Sequence, residues 1–226
     1  MSIQIFPSWR RRARMHAAIL WTLLAVLLPI RALYAAPTAS PLAVTVELLA
    51  VEDAGAIAGV PTFNGGGAPY FVLNARAGGA FDDNFVLFDL AALPANATID
   101  SAVFRLHVNA AANPLAIELG RADGAWDEGA LTWNNKPTVT WAGFTRTAAA
   151  VGAVEWPIKP LLVGWLDGSQ DNFGIVLRGL TPNTGGVRAD TREGAVAPRL
   201  VVTYTQPADE GPRPDLGDAP DSTNHI

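Results

Sequence analysis

A run of alternating apolar and polar residues constrains the fold of this chain more than any other feature. It covers residues 102–109, where Ala102, Phe104, Leu106 and Val108 alternate with Arg105, His107 and Asn109. A period of two places successive side chains on opposite faces of a β-strand. The run therefore predicts a strand with its apolar face against a core and its polar face outward.

Further apolar runs of strand length occur along the chain. Residues 85–90 are apolar on both faces, which predicts a central strand covered on both sides. The other runs are residues 44–51, 70–73, 115–119, 173–177 and 200–204. Most of the 21 glycines and 17 prolines fall between such runs. Many short strands separated by turns predict an all-β fold, an antiparallel jelly-roll β-sandwich.

One short segment, residues 160–166, has a helical pattern instead. Leu161, Leu162 and Trp165 recur at helical spacing, Pro160 opens the segment and Gly168 follows it. We expect a single short helix there, with Trp165 packed against the sandwich.

The first 35 residues resemble a secretory signal peptide. Arg10, Arg11, Arg12 and Arg14 form a basic start, an apolar run covers residues 17–30, and small residues follow. The run is short for a membrane span, which needs about 20 apolar residues. We predict cleavage after Ala35 and export, to the cell surface or the medium. An uncleaved signal anchor is the alternative.

The remaining chain is acidic and contains no cysteine. The leader carries five arginines and no acid, which leaves 11 of the 16 basic residues against 21 acidic ones, a net charge of −10. Such a surface disfavours binding to nucleic acid or to an anionic membrane. Without cysteine, neither a disulfide framework nor a thiol nucleophile is available.

Residues 207–226 differ from the rest in composition. They are rich in proline and acidic residues and almost free of large apolar ones, which predicts a linker. Residues 215–222, Asp-Leu-Gly-Asp-Ala-Pro-Asp-Ser, resemble the opening of a repeat found in large bacterial surface proteins. The segment is predicted to be a linker or the truncated start of a next module, with further domains of a surface protein as partners.

Two tryptophans flank an acidic turn in residues 126–137, Trp-Asp-Glu-Gly-Ala-Leu-Thr-Trp-Asn-Asn-Lys-Pro. Asn and Pro are frequent in turns, so the segment is predicted to be a loop that ends in a corner. A tryptophan ring either fills a core or offers a platform. We predict that Trp133 lies in the core.

Residues 43–206 are predicted to be one β-sandwich domain, and six motifs lie within them in a fixed order. They are Phe88-Asp89-Leu90 with Leu93-Pro94, then residues 98–102, residues 126–137, Val163-Gly164-Trp165, residues 172–175, and residues 197–204. Their order resembles the DNRLRE family of secreted bacterial domains. That family is similar to certain carbohydrate-binding modules, alginate binders among them, and has a jelly-roll β-sandwich fold. The resemblance implies sugar binding or a surface role. Asp127 departs from the family, which often has Ser there.

Catalysis has little support in the sequence. No GxSxG, HExxH or phosphate-binding loop occurs, and Gly65-Gly66-Gly67 is expected to be a flexible turn. His107 is expected to be a solvated side chain on a strand. Asp127 and Glu128 are adjacent and point apart in an extended loop, so they do not form a glycosidase pair. We therefore expect no enzyme activity and no cofactor.

Calcium is a possible exception. Asp82, Asp83 and Asn84 offer oxygen atoms of the kind that calcium prefers, although a solvated turn is the favoured interpretation.

Two hypotheses of function follow. The first is a non-catalytic extracellular module that binds a polysaccharide or a cell-surface glycan, because sugars stack on exposed aromatic rings beside polar groups. Its candidate residues are Tyr70, Arg105, Trp126, Asp127 and Trp141. The second is a structural or adhesive spacer in a multidomain surface protein. Solvent-facing, coplanar rings favour the first, and fully buried rings favour the second.

Overall fold

We describe the chain from a computed structural model, in which residues 42–74, 81–180 and 186–206 are described. The predicted leader, residues 1–35, and the predicted tail, residues 207–226, lie outside the described residues. Within these residues the chain forms, in order, β1 (Leu42–Ile57), β2 (Tyr70–Leu73), β3 (Asp82–Phe88), β4 (Thr98–Ala111), β5 (Leu115–Ala122), β6 (Val139–Ala148), β7 (Gly152–Pro157), α1 (Lys159–Leu166), β8 (Ile175–Gly179), β9 (Val187–Asp190) and β10 (Arg199–Gln206).

Two antiparallel sheets share the long strand β1. Its first half, up to Leu49, pairs with β10, and its second half, from Ala50, pairs with β3. The register shifts between Ala50 and Glu52, and such an irregularity bends a strand. The first sheet continues from β10 to β4, which also pairs with β7 and β9, and from β9 to β2. The second sheet runs from β3 through β8 and β5 to β6.

The main core contains apolar side chains of both sheets. Phe104 and Leu106 of β4 are fully buried in it, as are Leu119 of β5 and Leu177 of β8. The predicted alternation along residues 102–109 is thereby confirmed. An all-β sandwich with one short helix is confirmed for the described residues, and its jelly-roll connectivity stays a prediction.

The helix α1 lies where the sequence predicts it. Pro160 is in the first turn, where its missing N–H costs nothing, and Leu162 and Trp165 are buried. The N–H of Asp167 donates to the carbonyl of Val163 and closes the last turn. No helix in the described part of the chain is long and apolar enough to cross a membrane.

Several local predictions are wrong. The strands β6, β7 and β9 were not predicted. Residues 82–84 open strand β3 and are buried, so they are not a solvated turn. Gly65 and Gly66 are also buried, so the glycine run is a packed turn. At Gly65, for example, backbone atoms of Gly55 fill the space that a side chain would need.

Candidate functional site

A second, smaller apolar cluster lies on the face of the second sheet that points away from the main core. Cross-strand pairing places Phe85 of β3 beside Ala54 of β1 and Val176 of β8, and all three are buried. Their sequence neighbours Val86 and Ile175 belong to the main core, as the alternation of a strand requires. Another part of the chain therefore covers this outer face.

The segment 126–137 provides that cover. Trp126, Leu131 and Trp133 pack against the second apolar cluster. The indole Nε1 of Trp126 donates to the carbonyl of Phe173 at 2.8 Å, and its ring centroid lies 5.5 Å from that of Phe85. Trp126 is therefore an anchor of the segment.

The predicted corner at the end of the segment is closed by Asn135. Its Oδ1 accepts from the backbone N–H of Thr132 at 2.7 Å and from the Thr132 hydroxyl at 2.9 Å. Its Nδ2 donates to the carbonyl of Ala130 at 2.9 Å. These bonds fix the turn that Lys136 follows, and so they direct Lys136 toward the sheet.

Lys136 and Arg178 share one buried carboxylate, that of Asp83. The Arg178 Nε and Nη2 atoms donate to Oδ1 and Oδ2 of Asp83 at 2.8 and 3.0 Å. The Lys136 Nζ lies 2.9 Å from the same Oδ2. Asp83 and Arg178 are cross-strand neighbours on β3 and β8, and the side chain of Asp83 is fully buried. A charge so buried needs partners, and here it has two.

Aromatic rings lie beside both cations. The guanidinium of Arg178 is 4.0 Å from the ring centroid of Trp141 and 4.7 Å from that of Phe81. The Nζ of Lys136 is 4.7 Å from the ring centroid of Trp133. All three distances suit cation–π attraction. We call the set Asp83, Lys136, Arg178, Phe81, Trp133 and Trp141 the cation–aromatic cluster.

Trp141 owes its position to a glycine on the neighbouring strand. Gly120 of β5 pairs with Trp141 of β6, and a Cβ on Gly120 would lie 2.9 Å from Cε3 of the indole. The missing side chain lets the ring lie over the sheet. Both Trp133 and Trp141 are half-buried, so neither ring is wholly taken up by the core.

The cluster has the chemistry of a binding surface. Its bonds to Asp83 use two of the five donors of Arg178 and one of the three of Lys136. Glu118, the other cross-strand neighbour of Arg178, is half-buried and adds an acceptor. Donors, an acceptor and aromatic rings on one face are the groups that sugars require.

Of the five residues predicted to bind glycan, Trp141 alone belongs to this cluster. Asp127 is exposed in the covering segment, and Trp126 anchors that segment. Arg105 lies on the first sheet, where its Nε donates to Glu155 at 2.8 Å. Lys136 and Arg178 were not among the residues predicted for the site, and Trp133 was predicted to lie in the core.

Tyr70, the fifth predicted residue, lies at a separate cavity of about 230 Å³. Phe63 and Asn84 are among the other lining residues. The guanidinium of Arg188 lies 4.5 Å from the Tyr70 ring centroid. The ring pairs in the described residues, such as Phe85 with Trp126, are tilted or edge-on, so the coplanar pair that would favour glycan binding is not found there.

The residues predicted to hold calcium have other partners. Asp83 is held by its two cations. The Oδ1 of Asp82 accepts from the N–H of Ala58 at 3.1 Å, and Asn84 donates to the carbonyl of Leu177 at 3.4 Å. As successive residues of a strand they alternate between its faces.

A group of three carboxylates, from Asp53, Glu128 and Glu193, lies elsewhere in the domain, and we call it the carboxylate cluster. One oxygen from each lies within 4.8 Å of the others. The Nη2 of Arg192 contacts Oε2 of Glu128 at 2.6 Å and Oε1 of Glu193 at 3.1 Å. Asp53 is fully buried on β1, and its Oδ2 accepts from the N–H of Arg192 at 2.6 Å. Burial raises the pKa of Asp53 to about 7, and the nearby Glu193 and Glu128 charges add to the rise.

His107 is not the solvated side chain that the sequence predicts. Its Nδ1 lies 2.8 Å from Oδ2 of the buried Asp190, and Asn109 donates to the other oxygen at 2.6 Å. A His–Asp pair is part of a nucleophile-activating triad. In the described part of the chain, however, no serine or threonine hydroxyl is hydrogen-bonded to His107.

Comparison with known families identifies the class of this domain. A β-sandwich with cations and aromatic rings on its surface is compatible with a carbohydrate-binding module. The sequence profile of carbohydrate-binding module family 96 matches residues 45–204, most of the chain. The chain therefore belongs to carbohydrate-binding module family 96. No characterised protein matches it significantly.

Proposed function

We propose that this domain binds an acidic polysaccharide at the cation–aromatic cluster. The observation that carries the proposal is the sharing of the buried Asp83 carboxylate by Lys136 and Arg178. Lys136 and Arg178 balance the charges of Asp83 and the neighbouring Glu118, so this surface is locally neutral although the chain as a whole is acidic. An anionic ligand is repelled less at such a point than elsewhere on the acidic surface, and two cationic side chains there can bond to it.

The arrangement fits a chain of uronic acid units. The Arg178 and Lys136 side chains are 19% and 16% exposed, and a sugar carboxylate can accept from N–H donors on that accessible part. Charge-assisted bonds of this kind are among the stronger ones. The C–H face of a sugar ring can stack on the accessible part of Trp141 or Trp133. Membership of the family supports carbohydrate as the ligand class.

Two further parts of the proposal concern location and chemistry. The predicted signal peptide supports an extracellular domain. Family membership and the lack of a nucleophile at His107 in the described residues support binding without catalysis. Asp53 has a raised pKa, but its complete burial keeps it from contact with a polysaccharide.

The test is calorimetric titration of the full chain with a polyuronate and with a neutral glucan. We expect the polyuronate to bind more tightly, and its affinity to fall as salt is added. Lys136→Gln should weaken binding by about tenfold, since it removes a charge-assisted bond. Arg105→Gln is the matched control, because it also removes one positive charge but on the first sheet. Thermal melts should show that both variants are folded.

Three results would overturn the proposal. The first is equal weakening by Arg105→Gln and Lys136→Gln, which would mean that only the net charge matters. The second is binding that Trp141→Ala and Lys136→Gln both leave unchanged. The third is release of new reducing ends from the polyuronate. Failure to bind any polysaccharide would favour the structural spacer.

A further inference from the structure

The carboxylate cluster combines three separate parts of the chain. Asp53 belongs to β1, Glu128 to the segment 126–137, and Glu193 to the turn after β9. Their oxygens lie within 4.8 Å of one another, so three negative charges approach closely if all are ionised. Such repulsion requires a compensating positive charge.

Arg192 compensates for only part of this charge. Its guanidinium reaches Glu128 and Glu193, and its backbone N–H reaches one oxygen of Asp53. Among the described residues, one cation then serves three carboxylates. The side chain of Arg192 is 40% exposed, so it has room to move outward from the cluster.

A second observation, independent of the charge count, also indicates a missing partner. Among the described residues, no group is hydrogen-bonded to the buried Oδ1 atom of Asp53, while the side chain as a whole has an exposure of 0%. Buried polar atoms in folded proteins are nearly always paired. This oxygen is therefore open to a further ligand from the cluster side of the chain.

We propose that the carboxylate cluster is a calcium site. Its donors are all carboxylate oxygens, without nitrogen or sulfur, which is the ligand set of a hard cation. Glu193 is exposed, so water can complete the six to eight oxygens that calcium takes. Magnesium demands a stricter octahedron and holds its waters, so calcium suits this irregular set better.

Bound calcium would fasten three segments to one another. Glu128 already accepts from the N–H of Asp53 at 3.2 Å, so the ion would strengthen an existing connection between β1 and the covering segment. An ion that binds the folded state and not the unfolded state raises thermal stability. This consequence does not depend on whether the domain binds a polysaccharide.

The experiment uses the full chain, treated with chelator and dialysed. Calcium chloride is titrated calorimetrically at about 0.15 M salt, and melting temperatures are measured with and without the ion. We expect one site and a rise in melting temperature of about 5–10 °C at roughly 100 times the dissociation constant. Magnesium chloride at the same concentration should give a smaller rise.

Glu193→Gln is the main variant, because its exposed side chain can change without disturbing the core. We expect it to weaken calcium binding by at least about tenfold. Glu155→Gln is the matched control, an exposed glutamate that pairs with Arg105 outside the cluster. Asp53→Asn should weaken calcium binding as well, and its folding can be checked by melting. The proposal is overturned if calcium neither binds nor raises the melting temperature. It is equally overturned if Glu193→Gln binds calcium as the unchanged chain does.

Discussion

The side-chain amide of Asn64 donates to the backbone carbonyl of Glu128 at 2.7 Å. The same Nδ2 atom donates to the carbonyl of Leu131 at 2.8 Å, and Oδ1 accepts from the N–H of Gly66 at 3.3 Å. One side chain thus fixes the segment 126–137, which carries Trp133 and Lys136 of the cation–aromatic cluster.

Replacing Asn64 should therefore loosen the segment that covers the second sheet. Asn64→Ala leaves two carbonyls without their donor, and we expect a loss of about 1–3 kcal/mol in the free energy of unfolding. Urea denaturation measures it. Asn134→Ala is a suitable control, because Asn134 is exposed in the same segment, and a loss under about 0.5 kcal/mol is expected there. Equal losses in the two variants would contradict the role given to Asn64.

Two neighbouring glycines provide a second test. A Cβ on Gly66 would lie 2.3 Å from the carbonyl oxygen of Glu128, whereas a Cβ on Gly67 would meet nothing within 4 Å. We expect Gly66→Ala to cost about 1–3 kcal/mol, as overpacking does, and Gly67→Ala to be neutral or mildly stabilising. Denaturant melts of both variants measure the two changes in the free energy of unfolding. A harmless Gly66→Ala would show that the turn can move away from Glu128.

Regular strands in the core were predictable from sequence because burial on one or both faces leaves a clear pattern. Strand β4 is an example, with its alternation of buried Phe104 and Leu106 and outward Arg105. The strands β6, β7 and β9, which were not predicted, have a weaker alternation of buried and exposed side chains or are very short. In β6, only Ala148 is fully buried, and β9 is only four residues long. A strand whose side chains are mostly exposed or half-buried has no strong apolar alternation to find.

The candidate site was less predictable because it depends on pairing between distant strands. Asp83 and Arg178 are 95 residues apart and meet only through the register of β3 and β8. A local signal existed for Arg178, which directly follows the predicted strand 173–177 and stands two residues after Val176 of the second apolar cluster. The carboxylate cluster gave no local signal, since its members come from three separate segments.

The half-buried position of Trp133 changes the expected loss of stability when its side chain is truncated. A fully buried ring would cost about 3–5 kcal/mol on truncation, and that is what the sequence suggested for Trp133→Ala. The structure has the ring half-buried beneath Lys136, so we now expect about 1–3 kcal/mol. Trp156 has an exposure of 0% and is the comparison, with 3–5 kcal/mol expected for Trp156→Ala. Equal losses at the two positions in denaturant melts would contradict the half-buried placement.

The pH dependence of stability should reveal the buried Asp53. Its pKa is about 7 in the folded chain, chiefly because of burial, against an ordinary value of 3.8. Between these values the folded state holds a proton that the unfolded state has released. In chelator, the free energy of unfolding should therefore fall as the pH rises from about 4 to about 7, by up to about 1.4 kcal/mol per pH unit, and then level off. Asp53→Asn has no such proton and should flatten this part of the curve, while Glu155→Gln should keep it. Urea melts at a series of pH values measure the slope, and a slope that Asp53→Asn leaves intact would assign it to another group.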